Sequence, residues 1–350
     1  MPSFTNPLLK FVQHNNHNQH RQRKNHHLKK KNNYTNIHIC FLATVQKNFQ
    51  LQLNVFDAAS STIRNIETVS ADKESLRYHL VVTSPPAHGT LTDSWVFRDV
   101  PLERIELHAV SEFEPELREL HRQLSSTATG PGGIYLWKPL LHLVLKVPRV
   151  IVLDTDIFVF EDVRKLWNEF DAFLPDQLIG LATEQAPTYL EARALGGVGF
   201  NGGVQLLKLK RMRRSKDYHA IIQRYAERKW VAMKPGGIGW LGDQTLYSWM
   251  SVNGSGANHI FYQIPCGWNR QTGTHTASWK GFWESWVCDE PCNLLHGNFV
   301  QHKVFMETLR KDASGQTCRA TVAKFRSSQD FRHGSADARV LDMVDTKCCR

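Results

Sequence analysis

Apolar and polar positions along the chain form two repeating patterns, short apolar runs and longer segments with apolar residues at helical spacing. The short runs predict strands, and the longer segments predict helices that pack against them. Strands that alternate with helices in this order are typical of an α/β domain in which most strands are parallel. The pattern therefore predicts an α/β fold with a mostly parallel central sheet.

The predicted elements lie mainly between residues 37 and 265. The strands are IHICFLAT (37–44), LRYHLVVTS (76–84), RIELHAV (104–110), the run VIVLDTDIFVF (150–160), LIGLATE (178–184), FNGGVQLLKL (200–209) and HIFYQIP (259–265). The helices are FQLQLNVFDAASSTIRN (49–65), 112–124, a buried helix over 134–145, VRKLWNEF (163–170), a basic amphipathic helix over 211–229, and GDQTLYSWMSVN (242–253). Periodicity weakens after residue 266. We expect one folded domain over 35–312 and a loose polar C-terminal tail over 313–350.

The basic charge of the chain is concentrated at its N-terminus. Residues 1–34 hold seven Lys and Arg, no Asp or Glu, and a low-complexity run of Asn, His and Lys. Such a segment cannot bury enough apolar surface to order itself, so we predict a disordered tail. The formal net charge is +10, but the other 316 residues carry 36 basic and 33 acidic residues. A nucleic-acid binder needs a basic patch on its folded part, so we expect no nucleic-acid partner.

Cysteine usage bears on the compartment. Six of the seven cysteines follow residue 265, which favours disulfides in an oxidising compartment. Cys288 and Cys292 have C-x3-C spacing, which fits a disulfide, a metal pair or two separate bonds. No run of about 20 apolar residues predicts a membrane span, and no signal-peptide core follows the basic start. The secretory pathway and the cytoplasm both stay open.

Two aspartates, Asp154 and Asp156, interrupt the apolar run 150–160. Ionised carboxylates are costly to bury unless something compensates them. Ligands of open α/β sheets bind at the carboxyl ends of strands, and residues i and i+2 of an extended segment point to one side. The pair therefore predicts an oxygen-rich site for Mg²⁺ or Mn²⁺ that grips phosphate oxygens. A solvated strand end is the alternative.

Four further segments carry candidate chemistry. FNGGV places Asn201 before two glycines, where a backbone can approach a ligand closely. GDQTL places Asp243 and Gln244 at a predicted helix N-terminus, where a capping Asp is the ordinary alternative. LLHGN supplies His296, a structural histidine or a third metal ligand. Lys138 lies in the helix that precedes the two aspartates.

Taken in order, these segments resemble the family 8 glycosyltransferases, which are retaining enzymes that use nucleotide-diphosphosugars. The matching pieces are LAT at the end of the first strand, a Lys before the D-x-D strand, LDTDI, FNGGVQLL, GDQ and HGN. The resemblance covers residues 37–311. Within the family, LATEQAPTYL, PCGWNRQ and LLHGN are most similar to the α-xylosyltransferase branch, which includes the xyloside and glucoside xylosyltransferases, and the LARGE-type enzymes are similar.

The resemblance implies a Rossmann-like nucleotide-diphosphosugar transferase fold of the GT-A type and a role for each matching residue. Mn²⁺ or Mg²⁺ would be ligated by Asp154, Asp156 and His296. The residues with catalytic roles would be Asp243, Gln244 and Lys138. The UDP-sugar donor would be bound by Ala43, Thr44, Asp154, Thr155, Asn201, Gly203 and Lys303. Ala43 and Thr44 would border the uracil, and Lys138 and Lys303 would lie beside the diphosphate.

The implied function is metal-dependent, retaining transfer of a sugar, xylose in this branch, from a UDP-sugar to a glycan or glycoprotein acceptor in the Golgi or ER lumen. Double displacement requires a well-placed carboxylate nucleophile, and Gln244 is a poor one, so we favour front-face attack. One alternative is a cytosolic glucosyltransferase of the glycogen-primer type that uses UDP-glucose. Another is a non-catalytic sugar-binding or scaffold protein on the same fold.

Overall fold

The computed structural model describes eleven stretches of the chain. They are residues 36–43, 49–83, 100–126, 128, 132–227, 241–274, 288–298, 305–306, 308–309, 316–327 and 336–349. The predicted basic tail over 1–34 lies outside the described residues. Two of the predicted donor-binding residues, Thr44 and Lys303, also lie outside them.

The described strands form one large and one small sheet. They are β1 (Ile37–Ala43), β2 (Leu76–Val82), β3 (Ile105–Ala109), β4 (Val150–Leu153), β5 (Ile157–Val159), β6 (Ile179–Thr183), β7 (Phe200–Leu207), β8 (Phe261–Gln263), β9 (Arg270–Gln271) and β10 (Leu294–His296). The large sheet has the order β3-β2-β1-β4-β7-β6-β8. All its neighbouring strands are parallel except β7, which runs antiparallel to both β4 and β6. The predicted α/β fold with a mostly parallel sheet is confirmed.

The run 150–160 is two strands and not the single strand that its apolar pattern predicts. β4 ends at Leu153, where the Asp154 N–H donates to the Gly203 carbonyl at 2.9 Å. The backbone carbonyl of Asp156 then accepts from the Gly297 N–H at 2.8 Å, and β5 joins β10 in the small sheet of order β5-β10-β9. The two aspartates therefore lie in a turn that takes the chain from one sheet to the other.

The described helices are α1 (Phe49–Val69), α2 (Pro115–Ser125), α3 (Gly132–Tyr135), α4 (Leu141–Val144), α5 (Val163–Asn168), α6 (Leu190–Ala194), α7 (Leu209–Met212), α8 (Lys216–Ala226), α9 (Asp243–Met250), α10 (Gln316–Arg326) and α11 (Ala336–Met343). The predicted helix over 134–145 is broken into α3, a 3₁₀ turn at Lys138–Leu140 and α4, because Pro139 lacks the N–H that a continuous helix needs. The predicted helix over 211–229 is likewise divided, and Ser215 caps α8 by accepting from the Tyr218 N–H. Among the described residues, no helix is both long and apolar enough to cross a membrane.

Apolar side chains cover both faces of the large sheet. On one face, residues of α2, α4, α8 and α9 pack together with Val150 and Val152 of β4. On the other face, α1 and α5 contribute Ile63 and Leu166, which pack with Ile151. Two covered faces explain why the central strands are near-continuous apolar runs in the sequence.

The predicted loose C-terminal tail over 313–350 contains two helices in its described residues. We define the C-terminal region as α10, α11 and the π-helical turn Val344–Cys348. Its apolar side chains pack with Leu295 of β10 and Phe158 of β5. Two disulfides, Cys292–Cys348 and Cys318–Cys349, fasten it, and a third joins Cys266 to Cys288. Short helices with few apolar residues look polar in sequence, and the cross-links add the stability that their small core lacks.

Candidate active site

Asp154, Asp156 and His296 converge at the carboxyl end of β4. The β10 strand pairs His296 with Ile157, which brings the imidazole to the turn between β4 and β5. His296 Nε2 lies 3.3 Å from Asp156 Oδ1 and 3.7 Å from Asp154 Oδ2. One ligand atom from each residue lies within 4.8 Å of the other two. Two carboxylates and one imidazole at this spacing suit a divalent cation of the Mn²⁺ or Mg²⁺ type.

The other nitrogen of His296 is held by Asn269. His296 Nδ1 lies 3.0 Å from Asn269 Oδ1, while Asn269 Nδ2 donates to Asn201 Oδ1 at 2.8 Å. The amide is therefore oriented so that its oxygen accepts from Nδ1, which leaves Nε2 facing the carboxylates as metal ligation requires. Burial alone would lower the pKa of His296, but Asp156 and Asp154 raise it on balance. The same negative charge would attract a cation.

Gly203 lets the imidazole approach β7 closely. A Cβ built on Gly203 would lie 2.1 Å from His296 Cε1, so any other residue would displace the histidine. The Gly203 N–H donates to Asn201 Oδ1 at 2.9 Å, and its carbonyl accepts from the Asp154 N–H. The FNGGV segment thus fixes the positions of both an aspartate and the histidine.

Lys138 is buried between two carboxylates, with 1% of its surface exposed. Its ammonium lies 2.7 Å from Asp154 Oδ1 and 3.6 Å from Asp243 Oδ2, and it donates to the Gly202 carbonyl at 2.8 Å. Burial alone would lower the pKa of Lys138, but the two aspartates raise it well above its ordinary value. The lysine therefore stays charged and compensates the buried Asp243 and the half-buried Asp154, which answers the question that the apolar surroundings of Asp154 raise.

Asp243 and Gln244 begin α9 and are both buried. Asp243 is the first helical residue and Gly242 is the capping residue, so the side chain is available to accept from Gln205 Nε2 at 2.6 Å. Burial raises the pKa of Asp243 to about 6, although Lys138 opposes the shift. Gln244 Oε1 accepts from the Gly202 N–H at 3.1 Å. Both side chains are thus held in fixed orientations beside Lys138 and β7.

Glu184 is a buried carboxylate that our sequence analysis did not identify as a site residue. It follows β6 directly, and its Oε2 accepts from Asn201 Nδ2 at 3.0 Å and from Gln244 Nε2 at 2.7 Å. Burial raises the pKa of Glu184 against these hydrogen bonds. An acidic residue at the end of the predicted strand 178–184 was the signal that could have revealed it. Asn269 was missed as well, because nothing in its local sequence points to His296.

The described residues bring together most of the predicted site. The members that contact one another are Lys138, Asp154, Asp156, Asn201, Gly203, Asp243, Gln244 and His296. Ala43 ends β1, the strand next to β4, and is fully buried. Thr155 lies between the two aspartates, and its carbonyl accepts from Thr62 Oγ1 at 3.1 Å. Thr44 and Lys303 lie outside the described residues.

Sequence comparison relates the chain to known glycosyltransferases, although no family model matches it. It is 28% identical over 275 residues to xyloside xylosyltransferase 1 of Mus musculus, covering 71% of this chain and 66% of that protein. It is 29% identical over 234 residues to xylosyl- and glucuronyltransferase LARGE1 of Homo sapiens, covering 64% of this chain and 29% of that protein. The chain thus spans just under two thirds of the first relative and less than a third of the second.

Structure comparison leads to the same group of proteins. The crystal structure of mouse xyloside xylosyltransferase 1 matches with a TM-score of 0.58 at 22% identity, covering 75% of this chain and 98% of that chain. The galactosyltransferase LgtC, solved with donor and acceptor sugar analogues, matches with a TM-score of 0.53 at 15% identity, covering 79% of this chain and 95% of that chain. The fold is therefore of the GT-A glycosyltransferase type, and the chain is related to the xyloside xylosyltransferases and the LARGE-type enzymes, as its motifs predicted.

Proposed function

We propose that the protein is a metal-dependent, retaining glycosyltransferase that moves xylose from UDP-xylose to a glycan or glycoprotein acceptor. The convergence of Asp154, Asp156 and His296 at the end of β4 is the observation that carries this proposal. Relatives named as xylosyltransferases support xylose as the sugar. Lys138 and Asp243 are buried next to this cluster, which disfavours the alternative that the two aspartates only form a solvated strand end.

The metal ligands in this proposal are Asp154, Asp156 and His296, with Mn²⁺ as the expected ion. A divalent cation bound there supplies positive charge that stabilises the departing diphosphate. Lys138 donates to Asp154 Oδ1 at 2.7 Å, which holds this carboxylate in place for the cation. Because Lys138 is so deeply buried, we propose that it acts on the diphosphate through Asp154 and the overall charge of the site.

The donor sugar in this proposal lies against Asn201, Gly203, Asp243 and Gln244. Asp243, ionised above a pH of about 6, would stabilise the positive charge that develops on the anomeric carbon. The amide of Gln244 is fixed by bonds to the Gly202 N–H and to Glu184, and an amide is a poor nucleophile. These features support front-face attack, in which the departing phosphate takes the proton of the acceptor hydroxyl. A glycosyl adduct trapped on Asp243 would contradict this mechanism.

An oxidising compartment is part of the proposal. Three disulfides lie among the described residues, and disulfides persist mainly in secretory and extracellular proteins. We therefore place the enzyme in the lumen of the secretory pathway. The disulfides favour it over the cytosolic glucosyltransferase of the glycogen-primer type.

The proposal is tested by hydrolysis of a panel of UDP-sugars by the full chain, with Mn²⁺ and with EDTA. We expect Mn²⁺-dependent release of UDP from UDP-xylose, lost in Asp156→Ala and retained in the exposed control Asp176→Ala. A preference for UDP-glucose would favour the glucosyltransferase instead. No turnover together with no calorimetric binding of UDP would contradict an enzyme and favour a scaffold on this fold.

A further inference from the structure

A second cluster of metal-ligating side chains lies on the other half of the large sheet. His79 on β2 is directly opposite Glu106 on β3, and His108 follows Glu106 by two residues, so all three project from one face of the sheet. His79 Nδ1 lies 3.1 Å from His108 Nε2 and 3.3 Å from Glu106 Oε2, while His108 Nε2 lies 3.8 Å from Glu106 Oε1. The cluster shares no residue with the proposed active site.

These separations match those of a tetrahedral metal site. Zn²⁺ binds imidazole nitrogen and carboxylate oxygen at about 2.0–2.2 Å, so neighbouring ligand atoms of a tetrahedron lie roughly 3.3 Å apart. The separation of 3.1 Å between the two imidazole nitrogens and those of 3.3 and 3.8 Å to the two oxygens of Glu106 lie close to this value. Two imidazoles and one carboxylate form a ligand set that Zn²⁺ uses in proteins. The backbone register of β2 and β3 alone brings these atoms together.

His38 on β1 holds the central imidazole in the tautomer that a metal needs. His38 Nδ1 lies 2.9 Å from His79 Nε2, so the Nε2–H of His79 can donate to it. His79 Nδ1 is then unprotonated and directs its lone pair toward Glu106 and His108.

We propose that His79, Glu106 and His108 form a second metal site, which takes Zn²⁺ or a similar divalent transition metal and joins β2 to β3. β3 is the outermost strand of the sheet in the described residues, and Glu106 is 65% exposed, so the fourth coordination position opens to solvent and can hold water. β2 lies two strands from β4, about 10 Å away in the plane of the sheet. The metal therefore fastens the sheet edge and takes no part in the transfer reaction.

Cobalt substitution in the full chain tests this site. Tetrahedral Co²⁺ absorbs visible light far more strongly than the octahedral Co²⁺ expected at an oxygen-rich site. We expect an intense visible band in the wild-type protein that one equivalent of Zn²⁺ removes. The band should persist in Asp156→Asn, which alters the proposed active site, and in the exposed control His259→Gln. It should disappear in the double variant Glu106→Gln/His108→Gln.

The His-rich residues 1–34 are present in every variant, so any cobalt that they bind cancels from the comparison. The single variant Glu106→Gln changes an exposed side chain and should weaken Co²⁺ binding at least tenfold while the fold is kept. Zn²⁺ should also raise the Tm of Asp156→Asn but not that of the double variant carried on the same background. A wild-type protein without the band, or a band of equal intensity in the double variant, would overturn the proposal. His38, His79 and His108 would then form a row of hydrogen-bonded side chains that binds no metal.

Discussion

In the active site, ionisable side chains are buried against one another, whereas in the C-terminal region apolar side chains and disulfides hold the chain. Lys138, Asp243 and His296 are each at most 4% exposed. In the C-terminal region, Val322 and Leu341 pack beside the Cys318–Cys349 disulfide. Burying charge costs desolvation free energy, while apolar burial and cross-links stabilise the fold. The protein thus combines a site that opposes folding with a region that supplies stability.

The two regions meet in β10. Leu295 packs with the C-terminal region, while its neighbour His296 lies in the active site, since successive residues of a strand point to opposite sides. Cys292, two residues before the strand begins, is bonded to Cys348. The C-terminal region therefore holds the strand that carries a proposed metal ligand.

The largest effect should come from the buried cation. Replacing Lys138 by Met removes the charge that compensates the buried Asp243 and the half-buried Asp154. We expect Mn²⁺-dependent release of UDP from UDP-xylose to fall about 10³-fold, and the free energy of unfolding to fall by about 3–5 kcal/mol. Steady-state kinetics and denaturant unfolding measure both. Lys210→Met, at an exposed position, is the matched control, and a variant as active as that control would show that the charge at position 138 is dispensable.

Removing a disulfide should separate the stability of the C-terminal region from the geometry of the active site. The Cys292–Cys348 and Cys318–Cys349 bonds join residues 56 and 31 positions apart, so the loss of either should lower the free energy of unfolding by about 4 kcal/mol. Only Cys292→Ser/Cys348→Ser frees the strand that carries His296, so only this variant should bind Mn²⁺ more weakly, by about tenfold. Electron paramagnetic resonance of free Mn²⁺ measures the affinity. Equal affinities in the two double variants would mean that β10 keeps its place without the C-terminal region.

The sequence predicts the sheet region well and the C-terminal region poorly, for a physical reason. A strand such as Val150–Leu153 is buried on both faces, so its apolar run is visible without any knowledge of its neighbours. The helix Gln316–Arg326 has a small core and depends on Cys318, whose partner cannot be deduced from spacing. The local pattern therefore carried too little information to predict the C-terminal fold.

The same distinction applies within the active site. Asp154 and Asp156 can be recognised as site candidates from the sequence, because charge inside an apolar run needs compensation. Glu184 and Asn269 matter through contacts with Asn201 and His296, at sequence separations of 17 and 27 residues. Neither contact leaves a local signature, because β6 pairs with β7, and β9 with β10, only when each sheet has formed.

The smallest effect should come from Asp243→Asn, which tests whether the Asp243 carboxylate opposes folding. Burial raises the pKa of Asp243 to about 6, against an ordinary value of 3.8. The folded state therefore holds this proton more tightly than the unfolded state, so ionisation lowers stability as the pH rises from about 4 to 6, and the loss persists above that range. Asp243→Asn removes the charge and can keep the hydrogen bond from Gln205. We expect this variant to be about 1–3 kcal/mol more stable than the wild-type protein at pH 7.5.

The stability gained by Asp243→Asn should shrink as the pH falls below 6, because Asp243 of the wild-type protein then becomes neutral too. Denaturant unfolding of both proteins in EDTA, at several values between pH 4 and pH 7.5, measures the difference, and the exposed Asp176→Asn should show none. If Asp243→Asn were instead the less stable protein at pH 7.5, the attraction between Asp243 and Lys138 would outweigh the cost of burial. The buried charges would then stabilise the fold. The active site and the C-terminal region would differ in the kind of interaction that holds them, and both would favour folding.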